Sequence, residues 1–296
     1  MMFAEGAMPK GNFEGLRVLA FESRRSEELA RLIVTYGGRA IVAPAMREVP
    51  LESNREALEF GAALLAGEFD MVIFLTGVGT RALTAVLEKT CPREKFVAAL
   101  GDVKVVARGP KPVAALKELG VVPSIVVPEP NTWREMLQEL DRAPGRDALR
   151  GMRIALQEYG VANAELIAGL EGRGARVTRV PVYKWALPED TAPLRSAIKA
   201  LAQNQNEDEN EIDVVFFTTS VQSIHLFQIA AEMNLEEPLR KGLARCVIAS
   251  IGPTTTEELH KRGLRPDMEP SHPKMGYLVK EASEKAAEIL RAKRGA

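Results

Sequence analysis

The chain predicts an α/β protein made of two similar parallel-sheet modules. Three observations carry that expectation: short β-branched runs alternate with longer amphipathic stretches, an ordered set of Gly, Pro and Asp positions recurs, and 296 residues exceed the roughly 100 to 200 of one domain. Apolar runs of strand length separated by stretches of helical period form the pattern of a parallel sheet covered by helices. Strand candidates begin with LRVLAF at Leu16 and AIVA at Ala40. They continue with MVIFL at Met71, VKVVA at Val103, SIVV at Ser124, MRIAL at Met152, ARVTRV at Ala175, DVVFF at Asp213 and CVIAS at Cys246. Helices fall between them. The last is expected from Met275 to Arg294 and ends in LRAKRGA, whose basic residues read as a solvated helix end beside its C-terminal dipole.

The recurrence has two registers. Gly15–Val18 (GLRV) aligns with Gly151–Ile154 (GMRI), and Gly38 with Gly174, both at an offset of 136; each copy then reaches a proline, Pro44 or Pro181. Farther on, Asp70 aligns with Asp213, Gly109-Pro110 with Gly252-Pro253, Gly120 with Gly263 and Pro123 with Pro266, all at an offset of 143. Ordered agreement of these turn-forming residues identifies an internal duplication.

Composition excludes several classes of function. With 39 Lys+Arg against 40 Asp+Glu, no global field would hold nucleic acid or an anionic membrane. Any polyanion must be held locally. The two cysteines, Cys91 and Cys246, make no CxxC or zinc-site spacing and fit a reducing cytoplasm. The opening MMFAEGAMPKGNFEG lacks the layout of a secretory signal, and no apolar run approaches the roughly 18 residues of a membrane span. A soluble cytoplasmic protein is expected.

Open parallel α/β sheets bind ligands outside the carboxyl ends of their strands, where strand-to-helix turns expose backbone N–H groups. Two such modules would face a shared cleft. The turns concerned are Thr76-Gly77-Val78-Gly79-Thr80 and Thr218-Thr219-Ser220 after the third strand of each copy. Arg108-Gly109-Pro110-Lys111 and Ile251-Gly252-Pro253-Thr254-Thr255-Thr256 follow the fourth. Gly-Pro suits a strand end that turns into a helix. For each hydroxyl alone, capping a helix is the simpler role; recurrence of four such turns favours the cradling of carboxylates or phosphates.

Other chemistry is missing. TGVGT is not a GxGxxG fingerprint, and GxxxxGK[ST], HExxH and GxSxG do not occur. His225 and His260 fall on helices and read as packing or surface residues, whereas His272 in EPSHPKMG lies in a loop and is the better site candidate. QNQNEDENE, from Gln203 to Glu211, reads as a solvated insertion. Arg24 and Arg25 either point to the cleft or flank the first helix.

Taken in order, FDMVIFLTGVGTRAL, VVARGPKPVAALKELG, VPVYKW, DVVFFTTSVQSIHLF and IASIGPTTTEELHKRGLRPDMEPSHPKMGYLV resemble uroporphyrinogen-III synthase over nearly the whole chain. The resemblance implies two flavodoxin-like parallel-sheet domains joined by a two-stranded linker. The domains are expected at 1–44 plus 188–296 and at 50–180, with linkers near 44–50 and 180–187. It also implies a cofactor-independent lyase that holds hydroxymethylbilane in the cleft and closes it, with loss of water and inversion of the last ring, through a spirocyclic pyrrolenine to uroporphyrinogen III. No metal is implied. A monomer is the default expectation, and a transient contact with the upstream hydroxymethylbilane synthase is one possible partner interaction.

Tyr183 of VPVYKW matches the tyrosine that the family places at the cleft, where a phenol with an ordinary pKa of about 10 could assist hydroxyl departure. Without the resemblance, Tyr183 and Trp185 would read as interdomain packing. The eight carboxylates of the substrate are expected to meet Thr76, Gly77, Thr219, Ser220, Thr254 and Thr255, with Arg108, Lys111 and Lys274 adding point charges. Either Thr254 or Thr255 matches the family's threonine after Gly-Pro. Some members carry a threonine in the first-copy turn; this chain has Gly109-Pro110-Lys111-Pro112 there, which counts against a catalytic role for that turn. The rival readings are a two-lobed small-molecule or tetrapyrrole-binding protein without catalysis and, more remotely, a flavodoxin-like electron carrier.

Overall fold

The computed structural model describes residues 11–51, 54–142, 149–158, 160, 162–204 and 211–295. The chain forms two compact units, Met1–Arg47 with Leu187–Ala296 (unit 1) and Glu48–Ala186 (unit 2). In chain order, β1 (Arg17–Ala20), α1 (Ser26–Thr35) and β2 (Arg39–Val42) open unit 1, and β3 (Arg47–Pro50) leads into unit 2. Unit 2 then runs through α2 (Arg55–Leu65), β4 (Met71–Phe74), α3 (Gly77–Leu87), α4 (Arg93–Gly101), β5 (Lys104–Ala107), α5 (Pro110–Glu118) and β6 (Ile125–Val126). It ends with α6 (Trp133–Asp141), β7 (Arg153–Gln157), α7 (Ala164–Glu171), β8 (Arg176–Val180) and β9 (Tyr183–Ala186). Unit 1 is completed by α8 (Ala192–Gln203), β10 (Val214–Phe217), α9 (Ser220–Glu232), α10 (Glu236–Ala244), β11 (Val247–Ser250), α11 (Pro253–Lys261) and α12 (Met275–Arg294).

All nine apolar runs are strands. They form a parallel sheet β11-β10-β1-β2 in unit 1 and a parallel sheet β6-β5-β4-β7-β8 in unit 2. The strands β3 and β9, which lack a periodic signal of their own, pair as a separate two-stranded sheet. Alternation along each strand divides the core of unit 1 between two faces. Leu19, Val215, Phe217 and Ile248 pack with Leu194, Ile198, Leu226 and Leu243, whereas Val18, Val214, Phe216 and Val247 pack with Leu29, Ile33, Leu278 and Ala282. Met71, Ile73, Ile154 and Leu156 do the same beneath Met136, Leu140 and Leu166 in unit 2.

The register of pairing explains the two offsets. Ala20 lies opposite Phe216 on the neighbouring strand, and Leu156 opposite Ile73; β1 therefore corresponds to β7 and β10 to β4. Unit 1 takes its β1–β2 segment before its β10–β11 segment, and unit 2 takes the equivalent segments in the reverse order. The two units are circular permutations of one topology. Equivalent glycines adopt the left-handed conformation at equivalent turns, with φ +82° at Gly15 and +76° at Gly151, and +76° at Gly120 and +72° at Gly263, a region that other residues enter at a cost.

The paired aspartates close the same joint twice. The carboxylate of Asp70 accepts the Arg153 N–H at 2.8 Å and its guanidinium at 2.8 and 3.1 Å, and that of Asp213 accepts the Arg17 N–H at 2.7 Å. Each ties the start of one strand to the next. Bonding to Arg153 holds the Asp70 carboxyl down at about 2, well below its ordinary 3.8.

Two expectations require correction. The basic end of α12 is not simply solvated: Lys293 Nζ donates to Asp267 Oδ2 (2.6 Å) and to the Cys246 carbonyl (2.7 Å), while Arg294 reaches Asp213 (2.9 Å) and Glu211 (3.2 Å). These cations satisfy carboxylates at the strand starts of unit 1, where the helix end alone would have left them in water. Of the acidic stretch, residues 205–210 lie outside the described residues, as do residues 1–10 of the opening segment. Its last residue, Glu211, is buried because Arg294 and Arg245 flank it. Arg25 pairs with Glu28 on exposed α1. Among the described residues, no helix is long and apolar enough to cross a membrane.

Two measurements check this packing. Asp70→Asn should destabilise the protein by about 1 kcal/mol at pH 7, a value discounted for a pair more than a third exposed. Because the folded pKa is depressed, the contribution is fully present above about pH 4 and is lost as the pH falls towards 2. Melting curves of variant and wild type should therefore converge over that window. Burial raises the Cys246 thiol to about 12, whereas Cys91 is partly exposed. A thiol reagent should accordingly titrate one cysteine per native chain and two in denaturant.

Candidate functional site

The turns at the carboxyl ends of β4 and β10 are built from short-range capping. At the start of α3, Thr76 accepts the Gly79 N–H at 3.0 Å, and Thr80 Oγ1 donates to the Thr76 carbonyl at 2.7 Å. The turn lies tight against its neighbour, since a Cβ on Gly77 would stand 2.5 Å from the Lys111 carbonyl oxygen. The Thr76-Gly77 and Gly109-Lys111 turns are thus adjacent in unit 2. At the start of α9, Thr219 forms a capping box with Gln222, and Ser223 Oγ donates to the Ser220 carbonyl at 2.7 Å. Capping, the simpler role for these hydroxyls, is present at Thr76 and Thr219.

The Gly-Pro turns are equivalent to one another. Gly109 and Gly252 are the caps of α5 and α11, Pro110 and Pro253 occupy the first helical position, and both glycines are extended, at φ 163° and 162°. Beyond Pro253, Thr254 is exposed and Thr255 is buried; α11 packs against α9, which groups these threonines with Thr219 and Ser220. A Cβ on Gly252 would lie 3.1 Å from Pro273 Cβ, so the loop carrying Lys274 borders the same turn. Lys274 caps α12 and is exposed, as is Lys111; Arg108 is half-buried and donates its N–H to the Phe74 carbonyl at 3.0 Å.

Tyr183 begins β9 and is only 4% exposed. Its ring meets Trp185 edge-on, with centroids 5.6 Å apart and planes at 85°, a favourable aromatic geometry. Gly160 makes room for the indole, since a Cβ there would lie 2.0 Å from Trp185 Cδ1. Tyr183 and Trp185 thus pack on each other within unit 2.

The histidines sort by burial. His225 lies in α9 with Nδ1 2.7 Å from the Ala45 carbonyl; burial lowers its pKa, with the carbonyl opposing that shift in part, so the ring is neutral near pH 7. His260 is exposed on α11. His272 packs on Tyr277, 4.6 Å between centroids, and its Nδ1 is 3.2 Å from Ser271 Oγ. Among the described residues, no group of three or more His, Cys, Asp and Glu could hold a metal ion.

Two buried residues escape a reading of the sequence. The Gln222 Oε1 atom accepts the N–H groups of Thr218 (2.7 Å) and Thr219 (3.3 Å), and Gln157 Oε1 accepts that of Thr76 at 3.4 Å. Those N–H groups are engaged within the protein. The spacing of Thr219 and Gln222 is a capping-box signal; Gln157 shows only as a polar residue closing the run MRIAL.

These features define a class: an α/β protein of two permuted units whose strand-end turns combine hydroxyls, glycines and helix N-termini suited to anions. The sequence model of the uroporphyrinogen-III synthase HemD family matches residues 27–280, and the chain belongs to that family. It is 32% identical over 242 residues to a Methanothermobacter thermautotrophicus protein provisionally described as a uroporphyrinogen-III synthase, covering 81% of this chain and 87% of that one. It is 29% identical over 269 residues to an uncharacterized Bacillus subtilis protein, covering 90% and 94%. A mutant uroporphyrinogen III synthase from the extremely thermophilic bacterium Thermus thermophilus is structurally similar, with a TM-score of 0.70 and 25% identity, over 93% of this chain and all of that one.

Thr76→Ala should remove the cap of α3 and lower stability by about 1 kcal/mol, measured by urea unfolding. An unchanged midpoint would show that the cap is dispensable.

Proposed function

We propose that the protein is a uroporphyrinogen-III synthase, a cyclising lyase that converts hydroxymethylbilane to uroporphyrinogen III in tetrapyrrole biosynthesis. The observation that carries this reading is the family match over residues 27–280. The hydroxyl of the substrate's terminal hydroxymethyl group leaves with the C–O bonding electrons and takes up a proton to form water, and the pyrrole nitrogen gives up its proton, so that the methylene carbon stays behind as an electrophilic azafulvene. Attack by the substituted carbon of the last ring forms a spirocyclic pyrrolenine. Reopening and closure then invert that ring. The spontaneous reaction closes without inversion to isomer I, so the protein must hold the chain in the geometry that favours the substituted carbon.

The groups assigned to the substrate carboxylates are the hydroxyls of Thr76, Thr219, Ser220, Thr254 and Thr255 and the helix-start backbone at Gly77, with Arg108, Lys111 and Lys274 as point charges. Local dipoles of this kind account for a polyanionic substrate on a chain of net charge −1. Tyr183 is assigned to assist departure of the hydroxyl. The reading includes a cytoplasmic monomer that receives its substrate from hydroxymethylbilane synthase in a transient contact.

A coupled assay that generates hydroxymethylbilane in situ and separates oxidised isomers I and III tests the reading. Wild type should give isomer III in excess of a no-protein blank, and isomer I alone at the blank rate would overturn it. Tyr183→Phe, which keeps the ring that packs on Trp185, should lower kcat by about ten- to a hundredfold with KM nearly unchanged. Wild-type kcat in a folded Tyr183→Phe protein would remove the tyrosine from the chemistry.

A further inference from the structure

Positions 157 and 21 are equivalent by the offset of 136, and positions 222 and 79 by the offset of 143. Gln157 lies opposite Phe74 in the β7–β4 register. In unit 1 the corresponding place holds Phe21, packed on Phe217 with centroids 5.3 Å apart. Conversely, the third residue of α9 is Gln222, and the third residue of α3 is Gly79. Each unit therefore has one glutamine and one residue without a hydrogen-bonding side chain at this pair of positions, in opposite arrangement.

Both carboxamides make the same bond. Gln222 Oε1 accepts the N–H of the cap residue Thr219, and Gln157 Oε1 accepts the N–H of the equivalent cap residue Thr76. The side chains are 1% and 0% exposed, so a lost partner would leave a buried donor unsatisfied. The two sources exclude one another in unit 2, because a Cβ on Gly79 would lie 2.1 Å from Gln157 Nε2. The second half of each amide is also engaged. Gln157 Nε2 donates to the Glu158 carbonyl. Gln222 Nε2 donates to Thr218 Oγ1 at 2.9 Å, which donates in turn to Glu22 Oε2 at 2.7 Å.

We infer that Gln157 and Gln222 are positioning residues of the reaction: one buried carboxamide per unit fixes the turn after β4 or β10, and the two units supply it from different points of the chain. This rests on the synthase reading, since the turns so held carry Thr76, Gly77, Thr219 and Ser220. The carboxamide holds the cap residue's N–H, leaving the following N–H groups and the hydroxyls to the substrate. Its loss loosens the binding geometry and leaves the bond-making groups in place.

The test moves the carboxamide from one position to the other within unit 2, using wild type, Gln157→Met, Gly79→Gln and the double variant Gly79→Gln/Gln157→Phe. Gln157→Met, close in volume to the original, should raise KM for hydroxymethylbilane about tenfold while kcat stays within about twofold. Gly79→Gln alone should melt at lower temperature through its overlap with Gln157. The double variant reproduces the arrangement of unit 1 and should recover most of both losses. An unchanged KM in Gln157→Met, an equal fall in kcat, or a double variant no better than Gly79→Gln would overturn the inference. If Gln157→Met does not fold, amide hydrogen exchange in the wild type decides: Thr218 and Thr219 N–H groups exchanging as fast as open loop would overturn it, and protection would support it. Wild type that makes no isomer III would sink the synthase reading instead, and recovery of melting temperature in the double variant would then decide the carboxamide's movable position alone.

Discussion

Where a buried parallel strand turns into a helix, the first N–H groups of the helix face an interior that offers them no backbone partner. The architecture of this protein depends on answering that demand at the ends of β4 and β10. Thr76 takes the Gly79 N–H, and Gln157 takes that of Thr76; Gln222 serves Thr218 and Thr219. Of the residues that satisfy the turns, Thr76 is itself assigned to the substrate, and Gln157 and Gln222 bond the N–H groups of Thr76 and Thr219, which are so assigned.

Permutation gives the duplication its form. A parallel α/β unit needs its strands adjacent and its crossovers right-handed, but it does not need its segments in one chain order. Segments at the 136 offset supply β1–β2 and β7–β8, and segments at the 143 offset supply β4–β5 and β10–β11. At the opposite ends of the strands, Asp70 and Asp213 join them through Arg153 and Arg17. Beyond that joint Asp70 also takes the Arg153 guanidinium, and Asp213 takes Arg294 from α12.

Family membership makes the protein a cyclising lyase of the uroporphyrinogen-III synthase family. Tyr183 lies packed on Trp185, where a phenylalanine would pack as well; only its hydroxyl distinguishes a chemical role from a structural one. The near-zero net charge is consistent with recognition by local dipoles and hydroxyls. A field extended over the whole surface is not required.

Periodicity determined the nine strands of the two sheets: β4, β10 and β11 are buried at every position and need continuous apolar runs wherever they lie in the fold, whereas the edge strands β2, β6 and β8 are largely unburied and show only as short runs containing β-branched residues. Turn glycines and prolines determined the duplication, since Gly15, Gly151, Gly120 and Gly263 occupy conformations that other residues adopt at a cost. Candidate hydroxyls at Thr76, Thr219 and Thr255 were legible as residues following strands. Tertiary structure decided what they bond to. Gln157 is remote in sequence from Thr76, and Lys293 and Arg294 are remote from Asp267 and Glu211, so no local pattern could pair them. The strands β3 and β9 were equally silent as periodic signals, being four residues each and stabilised by pairing with one another. The physical reason is common to all of these: a local pattern records which groups must be buried or bonded, and only the fold brings distant partners close enough to do it.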